Sequence, residues 1–398
     1  MFGNRDLDSG RTKCAMASRG CTALSALLGV FMFHAACAGG DISISWSEPI
    51  QLGPGGYARV HRLSDGRLMA AYERRGDLMV RFCERGCLDK WTDPQCAARG
   101  FAVTNALGAV RVNLANAEFA QLATGRILLA CNMCPAGKKA EVHPYAIAIA
   151  ASDDAGANWS PLRIVYKGRE SPDGVMRGCY EPFILPLSGG AAQMFYADET
   201  PYTEGRVKYQ EISIVETADG GETWSSPRTV SYAPKRRDGM PVVLQMGEWR
   251  YLAIESNPAR TRLHPQIIRS RVADNWRKVV GAPSKDRFEP FRQPRNWEEL
   301  YGGAPYIAAT ENYILLSWQE CADRGEFATF RTAVCVAAMP KAEIKDGRIT
   351  AMRGVSTPPR QDGAKMRWNA LCPLGGDRFL LVSDVEGKIV LWPGRVAD

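Results

Sequence analysis

Two glutamates are the residues whose type and spacing best fit catalysis. Glu181 begins one apolar segment, and Glu255 ends another in the following repeat of the sequence. A retaining glycosidase uses two carboxyl groups about 5–5.5 Å apart, one as nucleophile and one as acid/base. Partial burial and mutual repulsion raise the pKa of one such carboxyl and leave the other ionised. The alternative is that each glutamate only pairs with a nearby arginine, such as Arg177 or Arg237.

Other polar side chains are expected to surround this pair at one mouth of a central channel. In a ring of similar sheets, innermost strands begin and second strands end at the same mouth, so their polar ends converge. Carboxylates, amides and arginines there suit a carbohydrate, which offers many hydroxyls and no charge. The predicted substrate-binding residues are Arg59, Glu73, Asn116, Arg177, Asp198, Arg237, Asp238, Tyr306, Gln319 and Asn369. Further rim residues are Asn132, Glu199, Glu255, Glu320 and Asp384.

Six repeats supply the elements that would position these residues. Each repeat is an apolar strand, a tight polar turn and a second apolar strand. The turns lie at Ser64–Gly66, Thr124–Gly125, Ser188–Gly190, Gly247–Glu248, Glu311–Asn312 and Gly375–Asp377. One such hairpin cannot bury both of its faces, so neighbouring units must stack. We therefore predict an all-β fold, a six-bladed β-propeller of four-stranded antiparallel blades, with Ile42–Trp46 completing the last blade.

Two segments carry a sharper turn motif. Ser152–Trp159 and Thr217–Trp224 both match S/T-x-D-x-G-x-x-W directly after an apolar strand. The Asp can accept backbone N–H bonds in the turn, the Gly permits a positive φ, and the Trp covers the end of the hairpin. Lys90-Trp91 and Asn275-Trp276 are candidate degenerate copies. These residues are interpreted as scaffold.

The two motifs resemble the Asp boxes of sialidases and related propellers, where they are structural and lie away from the active site. The segments Tyr180–Phe183, Arg236–Pro241, Gly303–Tyr306 and Leu316–Gln319 further resemble glycoside hydrolase family 93. That family comprises six-bladed exo-1,5-α-L-arabinanases that use two glutamates. The resemblance implies a secreted glycoside hydrolase acting on a plant-type or host glycan, with Glu181 and Glu255 as catalytic residues. It leaves open which glutamate is the nucleophile.

Two other functions remain open at this point. In an exo-α-sialidase, Tyr57–Val60 would resemble the Phe-Arg-Ile-Pro motif, with Arg59 binding the sialic-acid carboxylate, Asp77 as the acid and a tyrosine as nucleophile. The proline of that motif is missing, and the rest of the required arginine cluster is not evident. A non-catalytic carbohydrate-binding propeller is the second alternative, because a fold does not decide a function.

The N-terminus predicts export. Residues 22–36 are apolar over the length of a signal peptide, and Ala36 and Ala38 precede Gly39 as small residues at a cleavage site. We expect residues 1–38 to be a signal peptide, residues 39–398 to be a single propeller domain, and the location to be periplasmic or secreted. Lipid attachment at Cys37 is the alternative. The stretch is too short for a membrane span.

Composition narrows the classes of molecule that the protein is expected to bind. The net charge of +7 comes from scattered basic residues that often adjoin acids, which favours a solvated surface over nucleic-acid binding. Gly pairs lack phosphate-binding spacing and no metal-ligand cluster is evident, so we expect no cofactor and no metal. The partner is an oligo- or polysaccharide, and the protein is expected to be a monomer. Cys131-x-x-Cys134 is interpreted as a structural hairpin or disulfide, and Ser284–Glu299 as an insertion that blocks one end of the groove.

Overall fold

The computed structural model describes residues 42–169, 177–202, 209–257, 262–321, 332–359 and 365–397. The predicted signal peptide and the lipidation site at Cys37 lie outside these residues. The first strands are β1 (Ser43–Trp46), β2 (Ile50–Pro54), β3 (Gly56–Arg62), β4 (Leu68–Arg74), β5 (Asp77–Cys83), β6 (Gln95–Ala98), β7 (Phe101–Asn105), β8 (Gly108–Gln121), β9 (Ile127–Pro135), β10 (Ala146–Ser152) and β11 (Arg163–Lys167).

The remaining strands continue the same pattern. They are β12 (Cys179–Pro186), β13 (Ala192–Asp198), β14 (Glu211–Thr217), β15 (Arg228–Ser231), β16 (Asp238–Met246), β17 (Trp249–Ser256), β18 (His264–Arg271), β19 (Arg287–Phe288), β20 (Tyr301–Ala309), β21 (Tyr313–Cys321), β22 (Ala333–Pro340), β23 (Arg353–Ser356), β24 (Met366–Gly375), β25 (Arg378–Val385) and β26 (Lys388–Ala397). Short 3₁₀ helices occupy Ala136–Lys138, Val272–Asp274 and Lys341–Glu343. None of the helices in the described ranges has the length and apolar character needed to cross a membrane.

The predicted propeller is confirmed. Antiparallel sheets form blade I (β3–β6), blade II (β7–β11), blade III (β12–β15), blade IV (β16–β19), blade V (β20–β23) and blade VI (β24–β26 with β1 and β2). The innermost strands β3, β8, β12, β16, β20 and β24 contact one another in that order, and β24 returns to β3. Blade II carries β7 as a fifth strand. As predicted, the N-terminal strand closes the ring, because β1 pairs with β26 in blade VI.

Every innermost strand is interrupted by a β-bulge, which lies near the start of the strand except in β8, where the residues before it pair with β7. The pairing register shifts at these points in all six blades. One non-glycine residue with a positive φ of 49–60° stands at each bulge: Tyr57, Asn116, Glu181, Met240, Ala304 and Trp368. A left-handed backbone costs a non-glycine residue about 1–2 kcal/mol, so the surrounding contacts must hold it. A bulge re-aims its side chain, and six of them therefore send six side chains toward one mouth of the channel.

The two Asp boxes form the hydrogen bonds expected of them. Asp154 Oδ1 accepts the N–H of Asn158 at 2.8 Å, and Gly156 donates its N–H to Ser152 Oγ at 2.9 Å. Asp219 Oδ1 accepts the N–H of Thr223 at 2.9 Å in the second box. These hydrogen bonds hold the pKa of Asp154 low, at about 2. The carboxylates are thus committed to turn structure, which confirms the scaffold interpretation.

The glycine of the first box should be intolerant of a side chain. Gly156 has φ +91°, and a Cβ there would lie 2.5 Å from Phe82 Cζ in the neighbouring blade. Gly125 has the same φ with no atom within 4 Å of its Cβ position, so it is a matched control. We expect Gly125→Ala to cost about 1–2 kcal/mol of unfolding free energy from backbone strain alone. Gly156→Ala should cost about 1–3 kcal/mol more, measured by urea denaturation. Equal losses would show that Phe82 moves aside freely.

One expectation about local structure is wrong. Cys131 and Cys134 lie within strand β9 and are both free thiols. Residues three apart in a strand point to opposite faces, so this pair cannot close a disulfide there. Segment Ser284–Glu299 lies between blades IV and V, and its role in closing one end of the groove stays a prediction. It supplies the outer strand β19, and Trp297 is 3% exposed within the core.

Candidate functional site

Four of the six bulge residues form an apolar floor at the mouth of the channel. Tyr57, Met240 and Ala304 are buried against one another, and Trp368 packs on them while remaining partly exposed. The Tyr57 and Trp368 rings lie 5.7 Å apart between centroids. The other two bulge residues, Asn116 and Glu181, are polar. The bulges therefore place one carboxyl group, Glu181, beside an apolar surface.

The carboxylate of Glu181 is held by the next blade. Its Oε2 accepts the backbone N–H of Met240 at 2.8 Å. Met240 is the bulge residue of blade IV, and the bulge frees its N–H from the strand ladder. The acidic side chain is therefore fixed at the floor by one oxygen.

Glu255 reaches the same region from the second strand of blade IV. Its Oε2 accepts the N–H of Ala304, the bulge residue of blade V, at 2.7 Å. The glycines beside it leave room for its carboxylate. A Cβ at Gly303 would lie 2.9 Å from Oε2, and one at Gly239 would lie 3.3 Å from Oε1. Both glutamates thus bind backbone amides of adjacent inner strands.

The position of Glu255 recurs in every blade, opposite the residue that precedes the bulge. Its occupants are Glu73, Asn132, Ala197, Glu255, Gln319 and Asp384. Glu73 accepts the N–H of Asn116 at 2.9 Å, and Gln319 accepts that of Trp368 at 3.2 Å. In blade III the position is Ala197, which offers no acceptor, and Glu181 binds the next bulge instead. The contact of Glu255 is therefore a repeated scaffold contact, whereas that of Glu181 is a departure from the repeat.

An ion pair stands next to the two glutamates. Arg237 donates from Nη1 to Glu199 Oε1 at 2.5 Å and from Nη2 to Gln210 Oε1 at 3.2 Å. Its positive charge favours ionisation of both Glu181 and Glu255 and so partly offsets the rise in their pKa values that burial causes. Arg237 and Glu199 were expected from sequence at this rim. Gln210 was not, because it immediately precedes strand β14, away from the starts of inner strands and the ends of second strands.

Tyr301 also lies at the pair and was missed by sequence reasoning. A Cβ at Gly303 would lie 2.1 Å from its hydroxyl and 2.9 Å from Glu255 Oε2, which places phenol and carboxylate side by side. Burial raises the pKa of Tyr301, and the charges of Glu255 and Glu181 add to the effect. Its place at the first residue of β20, just before Gly-Gly, was the available sequence clue.

The pKa values of the two glutamates are raised by different sets of interactions. Burial is the largest cause for Glu181, and repulsion from Glu255 adds to it, against the opposing Met240 N–H and Arg237. Burial also raises the pKa of Glu255, while the Ala304 N–H and Arg237 oppose it. Burial and mutual repulsion favour one protonated and one ionised carboxyl in this pair. That is the division of roles which acid–base catalysis by two carboxyls needs.

Several predicted substrate-binding residues lie beneath the surface instead. Asp238 is 0% exposed and binds Arg287 at 2.8 and 2.7 Å. Asn369 is 1% exposed and donates from Nδ2 to the Ala304 carbonyl at 2.8 Å. Asp198 accepts the Thr200 N–H at 2.9 Å, and burial raises the pKa of Asp198 to about 6. Arg177 and Tyr306 are each 3% exposed. The structure thus brings Glu73, Asn116 and Arg237 to the mouth around the glutamates, and places Gln319, which is 0% exposed, with the others around or below it.

Arg59 is buried within the ring. It is 3% exposed, its Nε lies 3.3 Å from Glu118 Oε2, and its guanidinium lies 4.0 Å from the centre of the Tyr57 ring. Asp77 accepts the Gly100 N–H at 2.8 Å and lies 3.4 Å from Arg111. The arginine and the acid that a sialidase reading requires are therefore both engaged in other contacts.

A cavity opens beside the apolar floor, between blades VI, I and II. Its volume is about 760 Å³, and its polar lining includes Glu73, Arg74, Arg75, Asn113 and Asp384. Gly56 lies between the two carboxylates, since a Cβ there would be 3.1 Å from Asp384 Oδ2 and 3.6 Å from Glu73 Oε1. Burial raises the pKa of both acids. The mouth therefore extends past the floor, away from Glu181 and Glu255.

Removal of the Glu181 charge should change how stability depends on pH. Because its pKa in the folded protein is raised, the folded state binds its proton more tightly than the unfolded chain does. That stabilisation is complete below the ordinary glutamate pKa and is lost as pH rises through the folded value. Glu181→Gln can still accept the Met240 N–H. We expect its Tm to fall less than that of the parent protein as the pH rises from 5 to 9. Parallel curves, or the same flattening in the exposed turn variant Glu311→Gln, would contradict this.

The fold of this chain is similar to those of several solved proteins, among them glycosidases. An α-L-arabinofuranosidase from Fusarium graminearum, solved with an iminosugar inhibitor, matches with a TM-score of 0.60 and 16% identity over 88% of this chain and 98% of that one. An α-L-arabinanase from Penicillium chrysogenum, complexed with arabinobiose, gives 0.55 and 16% over 89% and 98%. A protein of unknown function from Dyadobacter fermentans gives 0.63 and 15% over 89% and 100%.

The sequence-based resemblance to sialidase-type propellers and to family 93 is confirmed at the level of fold. A Hadza microbial sialidase also matches, with a TM-score of 0.57 and 13% identity over 87% of this chain and 66% of that one. Neither a protein-family model nor a curated protein sequence matches this chain. At these identities the similarity concerns the fold, so the site residues must carry any argument about activity.

Proposed function

We propose that this protein is an exported glycoside hydrolase that cleaves a neutral glycan by a retaining mechanism, with 1,5-α-L-arabinan as the first candidate substrate. The observation that carries the proposal is the Glu181–Glu255 pair. Two partly buried carboxyl groups from adjacent blades are each anchored by one oxygen to a backbone N–H, and they repel each other. The arabinofuranosidase and arabinanase fold neighbours support this substrate class.

In this proposal each glutamate has one role. Glu181, whose pKa is raised by burial and by repulsion from Glu255, protonates the glycosidic oxygen as the bond to the anomeric carbon breaks. Glu255 attacks the anomeric carbon and forms a glycosyl-enzyme ester. Glu181, now ionised, takes a proton from water, and the resulting nucleophile releases the sugar and regenerates Glu255. Arg237 stabilises the negative charge as it moves between the two carboxyls.

The charges at the mouth favour a neutral sugar. Glu73, Glu181, Glu199, Glu255 and Asp384 surround it, and Arg237 is bound to Glu199. A sialic acid carries a carboxylate that needs arginines available for bidentate binding. Because Arg59 is buried against Glu118, it does not meet that need. The hydroxyls of an uncharged sugar can donate hydrogen bonds, which carboxylates accept well.

A non-catalytic carbohydrate-binding propeller is the second candidate. It is favoured by one observation: Glu255 makes the same contact as Glu73 and Gln319, which are scaffold contacts in their own blades. In that case the two glutamates hold the ring together and position hydroxyls of a bound glycan. Such a protein binds its ligand without turning it over.

The test is to incubate the purified protein with linear 1,5-α-arabinan and with a fluorogenic sialoside in parallel. Release of arabinose or arabinobiose supports the proposal. Release from the sialoside alone would overturn the choice of a neutral substrate and point to Tyr301 with Glu255 as the nucleophilic pair. Binding of neutral oligosaccharides with no hydrolysis of either substrate would favour the carbohydrate-binding alternative.

A further inference from the structure

We propose a second sugar-binding subsite on the blade VI and blade I side of the mouth, which takes the residue of a neutral glycan next to the one held at Glu181 and Glu255. The subsite consists of the Trp368 indole resting on Tyr57, the amide of Gln319, and the cavity that begins at Gly56. The inference deepens the proposed function and rests on it for the placement of the first sugar.

Trp368 provides the surface on which a sugar ring can stack. It is partly exposed, packs on the buried Tyr57, Met240 and Ala304, and stands at a bulge with φ 54°. A rigid aromatic ring is a platform for the apolar C–H face of a sugar, because the contact removes apolar surface from water at little entropic cost. The left-handed backbone fixes where this platform points, and Gln319 Oε1 secures it by accepting the Trp368 N–H.

Gln319 supplies a donor that none of the described residues accepts. The residue is 0% exposed, and its Nε2 has no hydrogen-bond partner among the described residues. A buried N–H group without a partner costs about 1–3 kcal/mol, so such groups are rare unless a ligand or water completes them. The amide stands beside Trp368, where the hydroxyl of a stacked sugar can accept this N–H.

The position of the cavity indicates the direction in which a bound glycan extends. Gly56 directly precedes Tyr57, and Asp384 pairs across the sheet with Arg367, the residue before Trp368. The cavity therefore begins where the platform ends. Its lining contains the acids Glu73 and Asp384 and the bases Arg74 and Arg75, so its formal charges balance, which suits an uncharged ligand. On the other side, Met240 touches the platform through Tyr57 and binds Glu181 through its N–H.

The test compares the binding affinities of short and long ligands in a variant that cannot hydrolyse them. Glu181→Gln/Glu255→Gln protein is titrated calorimetrically with 1,5-α-arabinobiose and with arabino-, xylo- and cello-pentaose. We expect one neutral pentasaccharide to bind more tightly than the disaccharide, and Trp368→Ala to remove on the order of tenfold of that affinity. Trp368→Phe should lose less. Trp249→Ala is the matched control. Trp249 is partly exposed between Arg269 and Arg271, and it begins strand β17, whose other end carries Glu255.

The outcomes separate the subsite from the proposed function. Length-dependent binding that is lost in Trp368→Ala, in a parent that never hydrolyses a glycan, would support the subsite while overturning the hydrolase. Hydrolysis that needs both glutamates, with pentasaccharide affinity unchanged in Trp368→Ala, would overturn the subsite alone. No binding of any pentasaccharide by the folded double variant would also overturn it.

Discussion

Glu181→Gln should lower the rate of polysaccharide hydrolysis by about 10²–10⁴-fold, the usual contribution of a general acid. The loss should be far smaller on an aryl glycoside whose phenol leaves without a proton. Glutamine keeps an oxygen for the Met240 N–H, so the fold should survive. The measurement is kcat/KM on arabinan and on aryl glycosides of graded leaving-group pKa.

Glu255→Gln is the matched variant, because it too keeps its acceptor for the Ala304 N–H. Its rate should fall on every substrate, since no leaving group replaces a missing nucleophile. Added azide should restore activity to Glu255→Gly by supplying a small nucleophile. If instead the Glu255 variants kept their rate on aryl glycosides with good leaving groups, Glu255 would be the acid and Glu181 the nucleophile. Full activity in both variants would exclude the pair from catalysis.

Arg287→Met should cost about 3–5 kcal/mol of unfolding free energy, because it leaves the carboxylate of Asp238 buried without its partner. Arg287 binds both oxygens of Asp238 and also Gln266 Oε1 at 2.6 Å and Ser256 Oγ at 2.7 Å. The Arg287 side chain is 3% exposed and the Asp238 side chain is 0% exposed. Equilibrium denaturation at neutral pH measures the loss.

Arg271→Met provides the contrast. Its ion pair with Glu248 is exposed, so its removal should cost under about 1 kcal/mol. The double variant Asp238→Leu/Arg287→Met should recover much of the stability lost by the single change, since it removes the unpaired charge as well. Equal costs for the two arginines would mean that water reaches Asp238. An Asp238→Asn protein with weakened glycan binding and unchanged stability would restore Asp238 to the binding site.

The repeats and the Asp boxes were enough to predict the blades, their number and the closing strand. The residues at the mouth were harder, because a bulge shifts the alternation of side chains along a strand. Sequence reasoning named Arg59, Asp238 and Tyr306 where the bulges present Tyr57, Met240 and Ala304. Each lies two residues from its bulge and points into the ring instead. Left-handed residues other than glycine leave no compositional trace, so these positions could not be read from the sequence.

Glu181 and Glu255 were found for different reasons. Glu255 ends an apolar strand, so an acid there stands out, and the same logic finds Glu73 and Gln319. Glu181 stood out through its motif, and the structure supplies the reason why it is unlike its equivalents. Ala197 leaves the Met240 N–H without the acceptor found in other blades, and Glu181 fills that place. Trp368 and Tyr301 were missed because an aromatic residue at the start of a strand is ordinarily core.

Closure of the ring by β1 and β26 has a consequence for biosynthesis. Blades I to V can each assemble from consecutive segments as the chain is made, but blade VI needs strands from both ends. Until β26 is complete, β1 has no partner and β25 keeps an open edge. Unpaired edges are templates for pairing with other chains. A nascent or clipped chain would therefore depend on chaperones, whereas the finished ring protects those edges with its own strands.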